Sequence, residues 1–276
     1  MLAHIHDAPA VLYCRGNTKL LKEQCFAVVG TRKLTAYGKE AACAIVRDLV
    51  PHGLVIVSGL ALGIDAVAHQ AALDAGGTTI AVLGSGVDDR NIYPRTNHNL
   101  ARDILAKNGL IVSEYPAGTQ AQQFTFPARN RIISGLSRGV LVIEADFKSG
   151  ALITAQLALD YDRDVYAVPG GIFSAKSIGP NLLIQKGAKL VLSAQDIIQE
   201  YPDLASVAGG TTASVSTRDP LERKILDILG ASGPAFVDTI IGACRQPAHR
   251  VTAALALLEI RGTIKNMGNG MYLLKR

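Results

Sequence analysis

FAVVGTRKLT, residues 26–35, runs from an apolar stretch into a glycine, a threonine and two cations. LVIVSG (54–59), TIAVLG (79–84), LIVSEY (110–115), GVLVIEA (139–145), DVYAVPG (164–170) and KLVLS (189–193) repeat its apolar opening. Each is short and rich in Val, Ile or Leu, as strands buried on both faces are. Helical spacing fills the gaps in TAYGKEAACAIVRDLVPHG (35–53), IDAVAHQAALDAG (64–76), HNLARDILAKNG (98–109) and SGALITAQLALDYD (149–162). Gly53 stands where a left-handed residue would end the first of them. Alternation repeated this often predicts an α/β fold, a mostly parallel sheet with helices on both faces, over residues 26–201.

Composition agrees with a packed core. The chain has 276 residues, 49% of them hydrophobic and 18% charged, which excludes a disordered polypeptide. Aromatics are 5% and Trp is absent, so the core must be aliphatic. The 27 glycines point to tight turns where backbone approaches backbone or a ligand. No apolar run reaches the ~18 residues that span a bilayer. The opening MLAHIHDAPAVLYCRG lacks the basic, apolar and small-residue order of a secretory signal. Cys14, Cys25, Cys43 and Cys244 form no CxxC and no zinc spacing, which suits reduced thiols in a cytoplasmic protein without a metal.

Around this body the sequence predicts a lead-in over 1–25, a flexible linker over 202–218 (PDLASVAGGTTASVSTR) and a small unit over 219–276. DPLERKILDILG opens that unit with an Asp cap, Pro at the first helical position and Glu three residues after the cap. Two more helical stretches and a GNG turn follow, the order of a winged helix-turn-helix. The net charge of +5 is uneven: residues 218–276 hold nine Lys/Arg against five Asp/Glu, and the body is almost neutral. A basic unit points weakly to a polyanionic partner.

Ligands of open α/β sheets bind at the carboxyl ends of the strands. There this chain puts Gly30, Thr31 and Arg32, then Ser58 and Gly59 with Gly63 close behind, then Gly84 and Gly86. Such glycines let backbone N–H groups face an anion, and Arg32 adds a forked cation, so phosphate binding is expected. No GxGxxG follows the first strand, which excludes the dinucleotide fingerprint. FTFPARNR (124–131) pairs aromatics with Arg129 and Arg131 ahead of an apolar helix, a combination that stacks bases and neutralises phosphates. Glu144 and Asp146 have no nucleophile or His at a telling spacing. Asp65 and His69 read as a cap and a helix histidine rather than half a metal site.

GTR (30–32), SGLALGID (58–65), AVLGSG (81–86), YPRTN (93–97), SEYP (113–116), FPARNRIISGLS (126–137), EADFKSGALITA (144–155), AVPGG (167–171) and GPNLLIQKGA (179–188) together resemble the DNA-processing protein A family, also called Smf. The likeness covers residues 9–201, and the C-terminal winged helix resembles a small domain many members carry. It implies a Rossmann-like domain that binds single-stranded DNA without a nucleotide cofactor, protects it, loads the recombinase RecA in natural transformation, and forms a homodimer through that domain. Carried over by position, Arg32, Phe126, Arg129, Arg131 and Lys148 form the pocket, and Ser58 and Gly59 contact phosphate. Thr31 stands where the family often has Ser, Leu62 where it often has Arg, and Gln123 near a lysine of some members. A helical domain that many members carry ahead of this region is missing, so the sequence reads as a short member or a truncation.

Two other readings compete. Pro169-Gly170-Gly171 resembles the PGGxGTxxE phosphate loop of nucleoside-monophosphate phosphoribohydrolases, but Ile172 to Lys176 lack its Gly-Thr and its catalytic Glu. A winged-helix transcription regulator with a sensor body is opposed by AHRVTAALALLEIRG (248–262), which offers mainly His249, Arg250 and Thr252 to base edges. A binding protein without catalysis is therefore expected.

Overall fold

The computed structural model describes residues 1–205 and 219–274. The chain forms two compact units, Met1–Gly210 and Thr211–Arg276.

In the first unit each apolar stretch is a strand: β2 (Cys25–Val29), β3 (Val55–Ser58), β4 (Thr79–Leu83), β5 (Leu110–Ser113), β6 (Gly139–Val142), β7 (Asp164–Ala167) and β8 (Lys189–Leu190). They are preceded by β1 (Tyr13–Gly16). Between them lie α1 (Ala36–Leu49), α2 (Ile64–Asp74), α3 (His98–Ala106), α4 (Thr125–Leu136), α5 (Gly150–Asp160) and α6 (Ile178–Gln185), with the short α7 (Gln195–Ile198) and α8 (Pro202–Ala205) after β8. The sheet order is β1-β5-β4-β3-β2-β6-β7-β8. Every pairing is parallel except β1 with β5. Strand order reverses at β2, whose neighbours are β3 and β6.

Alternation along the strands divides the core. Phe26 and Val28 face α1 and α2, packing with Ile45, Val46 and Ala68. Ala27 and Val29 face α4 and α5, packing with Ile132, Ile133 and Ala155. A smaller cluster joins Ala81, Leu83 and Ile111 to Ala101 and Ile104 of α3. The core is largely aliphatic, with Phe26, Tyr161, Tyr166 and Tyr201 as its buried rings.

Two boundaries differ from the sequence reading. Residues 1–25 are more than a lead-in, because β1 pairs Tyr13 with Ser113 and Gly16 with Leu110. That strand is four residues long, on an edge and only half-buried, so it carries little hydrophobic signal. The first residues of the expected linker, 202–205, form α8; Leu204 is buried in the core and Asp203 holds Arg138 at 2.5 Å. The rest of that linker, 206–218, lies outside the described residues.

The second unit is a winged helix: α9 (Pro220–Ser232), β9 (Ala235–Phe236), α10 (Val237–Cys244), α11 (Ala248–Ile260), β10 (Ile264–Asn266) and β11 (Met271–Leu274). The strands form a sheet in the order β10-β11-β9. The Asp219 side chain accepts from the Leu221 N–H at 2.8 Å. Glu222 does not complete a capping box with it; its buried carboxylate accepts from Arg261 Nη1 at 2.8 Å. Gly268, Asn269 and Gly270 all have positive φ and turn the wing. The outer side of α11 carries Ala253, Ala256, Leu257 and Ile260, all exposed.

Candidate functional site

The reversal of strand order at β2 opens a crevice at the carboxyl edge of the sheet. A cleft of about 870 Å³ occupies it. One wall is the loop after β2, with Gly30, Thr31, Arg32 and Lys33. The first turns of α4 give Phe126, Arg129 and Asn130, and the loops after β6 and β7 give Asp146, Ser149 and Lys176.

Arg32 is exposed, with its guanidinium carbon 5.2 Å from the centre of the Phe126 ring. Tyr93 packs on that ring with centroids 5.6 Å apart. Lys176 Nζ is bonded to Asp146 Oδ2 at 3.0 Å. Among the described residues Arg32 and Lys33 have no carboxylate partner, which leaves them as the cations of the cleft open to an anionic ligand.

Arg129 serves the floor instead. It is buried, and its Nη1 donates to the Val82 carbonyl. Burial pushes its pKa down to about 10; Asp65 pulls upward and Arg32 adds to the depression. Burial likewise raises the Asp65 carboxyl, against the pull of Arg129 and of the Gly59 N–H. Among the described residues the Arg129 Nε has no partner.

Several polar groups of the motif at 58–65 are engaged internally, while Ala61 and Asp65 line the cleft and Gly59, Ala61 and Leu62 line a smaller recess with Arg32 and Phe126. Ser58 is fully buried and donates to the Val28 carbonyl at 2.7 Å. The Gly59 N–H donates to Asp65 Oδ2 at 3.1 Å. The Leu60 N–H donates to His69 Nε2 at 3.3 Å, and Asn97 Nδ2 donates to the Leu60 and Ala61 carbonyls at 2.9 and 3.1 Å. His69 Nδ1 is 2.7 Å from Thr79 Oγ1, and burial holds this imidazole neutral with its pKa down at about 3. Asp65 and His69 therefore hold a loop.

The glycines act mainly by close packing. A Cβ on Gly63 would lie 2.2 Å from the Thr31 carbonyl, and its φ is +81°. On Gly30, which lines the cleft, a Cβ would meet Ile64 at 2.6 Å. Gly84 packs on Thr125 at the start of α4. The Gly86 N–H is taken by the Thr119 carbonyl at 2.8 Å. The Gly86 N–H is thus engaged inside the fold, and Gly63, Gly84 and Gly86 are not among the residues that line the cleft.

Helix α4 begins at Thr125, so the two arginines lie inside it. Residues two apart on a helix point to opposite sides. Arg131 accordingly leaves the cleft and pairs with Glu114 at 2.5 Å and Asp7 at 3.7 Å. Lys148 is exposed at the same edge of the sheet, outside the cleft wall. Of the expected residues the cleft brings together Gly30, Arg32, Phe126 and Arg129. It adds Lys33, Tyr93, Gln122, Asn130 and Lys176, which the sequence reading left out. Lys33 directly follows Arg32, and that adjacency was the available signal.

Glu144, fully buried, accepts from the Thr35 N–H at 2.9 Å and the Thr35 hydroxyl at 2.6 Å. It secures the start of α1 rather than facing a substrate.

Residues 1–202 match the DNA recombination-mediator protein A family, and residues 210–270 match its winged-helix domain. The chain belongs to this family. It is 48% identical over 203 residues to DNA processing protein DprA of Bacillus subtilis, covering 73% of this chain and 67% of that protein. With protein Smf of Escherichia coli it shares 37% identity over 277 residues, 98% of this chain and 73% of that one. The X-ray structure of DNA processing protein A from Streptococcus pneumoniae aligns with a TM-score of 0.68 at 48% identity, over 72% of this chain and 69% of that one. DNA processing protein A from Helicobacter pylori, studied for its single-stranded DNA binding mode, aligns with a TM-score of 0.66 at 38% identity, over 72% of this chain and 90% of that one.

Proposed function

We propose that the chain binds single-stranded DNA without sequence preference, in DNA recombination and natural transformation, and passes the strand to a RecA recombinase. The observation that carries this is the cleft wall itself: two unpaired cations, Arg32 and Lys33, beside an accessible aromatic pair, Phe126 and Tyr93. Cations track a phosphate backbone, and rings accept any base face. The Helicobacter pylori relative binds single-stranded DNA, and the first unit of this chain shares its fold.

Binding without catalysis fits the acidic groups. Glu144 is consumed by Thr35, and Asp146 is bonded to Lys176. Beside His249, Arg250, Thr252 and Glu259, the exposed side of α11 carries Ala253, Ala256, Leu257 and Ile260, an apolar share that suits a protein surface better than the reading of base edges. Exposed Leu190 and Leu192 at the β8 edge support a homodimer through the sheet-bearing unit. The reading puts this work in the cytoplasm; among the described residues no helix is long and apolar enough to cross a membrane.

Band shifts of labelled oligo-dT test it. The double variant Arg32→Ala, Lys33→Ala should bind at least about tenfold more weakly, with a salt dependence lower by about two phosphate contacts. Undiminished affinity, or a preference for random duplex over oligo-dT, would overturn the reading.

A further inference from the structure

The chain has six phenylalanines, and five lie in the first unit. Phe26 is core and Phe126 lines the cleft. The other three, Phe124, Phe147 and Phe173, are 66, 68 and 98% exposed. Scattered exposed apolar residues are ordinary, but the placement of these rings is not random. Phe124 directly precedes α4, Phe147 lies in the β6–α5 connection and Phe173 in the β7–α6 connection. Connections that follow parallel strands emerge at the carboxyl edge of the sheet, where the cleft opens.

The neighbours of each ring line that cleft. Gln122 and Gln123 come just before Phe124, Asp146 and Ser149 flank Phe147, and Lys176 follows Phe173. The last two loops are tied together at their bases. The Ala145 N–H donates to the Lys176 carbonyl at 2.8 Å, and Lys176 Nζ reaches Asp146 at 3.0 Å. Exposed Lys148 stands beside Phe147. Along the chain Phe124 and Phe147 thus stand beside amide and cationic side chains, and exposed Ile172 precedes Phe173. A flat base flanked by phosphates fits such a rim; a protein interface would be expected to join the rings into a contiguous surface.

We propose that Phe124, Phe147 and Phe173 are stacking platforms for nucleobases, carrying a single strand over the rim as it leaves the cleft. This rests on the single-strand reading above. It assigns base contact to the rim and backbone contact to Arg32 and Lys33. It also gives Lys148 a place, on a phosphate next to the base stacked on Phe147.

The test compares two labelled strands of equal length and charge, oligo-dT and an abasic phosphodiester strand, against the full chain. The variant is Phe124→Ala, Phe147→Ala and Phe173→Ala together; a second variant carries Leu at the same positions and keeps their apolar bulk. Wild type should prefer oligo-dT. Both variants should lose about tenfold or more on oligo-dT and match wild type on the abasic strand. Oligo-dT affinity unchanged in the Ala variant, or equal losses on both strands, overturns the platforms while the single-strand reading stands. Full oligo-dT affinity in the Leu variant also overturns stacking. Failure of wild type to bind either strand overturns both.

Discussion

Arg32 lies over the face of Phe126, 5.2 Å from the ring centre. A guanidinium held this way is positioned by an apolar surface and keeps its N–H groups for a ligand. The two residues should therefore fail differently. Phe126→Ala should weaken oligo-dT binding about tenfold and leave the slope of log K against log salt nearly as it was. Arg32→Ala should lower that slope by about one phosphate contact. Equilibrium titrations across a salt series separate the two.

Gly59 leaves the space that Arg129 fills. A Cβ there would sit 2.1 Å from Arg129 Nη1, and the guanidinium is pinned to the Val82 carbonyl and buried. Gly59→Ala should cost about 1–3 kcal/mol, as overpacking of a filled interior does. The urea midpoint of the larger unit reads this directly.

His69 gives a pH dependence with a definite sign. Its imidazole titrates at about 3 in the folded chain against 6.5 unperturbed, because burial disfavours the charged form. The unfolded chain then binds the extra proton first, so stability falls as pH drops from 6.5 toward 3. Asp65, raised by burial, works the opposite way. Comparison with His69→Gln isolates the imidazole: the variant should be less stable at pH 7, and its urea midpoint should fall less between pH 7 and pH 5. Parallel pH profiles for the two proteins would contradict the buried neutral imidazole.

The buried Glu144 carboxylate holds both polar groups of Thr35 ahead of α1. Glu144→Ala removes the acceptor and leaves a void beside Gly38, at a cost of about 2–3 kcal/mol. Glu144→Gln keeps one oxygen acceptor and should cost about half as much. Denaturation midpoints in that order check the assignment; an additional loss of DNA affinity in Glu144→Gln at full stability would instead place the carboxylate at the ligand.

The parallel sheet was legible because strands such as Phe26 to Val29 are buried on both faces and leave an unbroken apolar run. The β1 strand was not, since an edge of four residues with Arg15 exchanges most of its burial for hydrogen bonds. At the site, Arg32 and Phe126 were legible as types of residue that bind a polyanion. The internal partners of Ser58 and Gly59, Val28 and Asp65, were not legible, because they lie 30 and 6 residues away and sequence spacing does not reveal them. The ion pairs of Arg131 were hidden for a nearer reason: the sequence places the run ahead of an apolar helix, and it is the start of α4 at Thr125 that turns Arg131 away from Arg129.

That geometry makes Arg131 the sharpest contrast with Arg32. Its guanidinium is mostly buried, bonded to Glu114 at 2.5 Å and close to Asp7, which also accepts from the Tyr161 hydroxyl at 2.7 Å. The group ties residue 7 of the N-terminal segment to α4 and to the residue after β5. Arg131→Gln should cost about 1–3 kcal/mol, because Glu114 would stay half-buried without its partner. Binding of oligo-dT should stay within about twofold of wild type, since no phosphate contact is lost. The decisive measurement is affinity at a temperature where the variant is fully folded: a tenfold loss there, with a reduced salt slope, would return Arg131 to the DNA path and show that the ion pair opens to admit it.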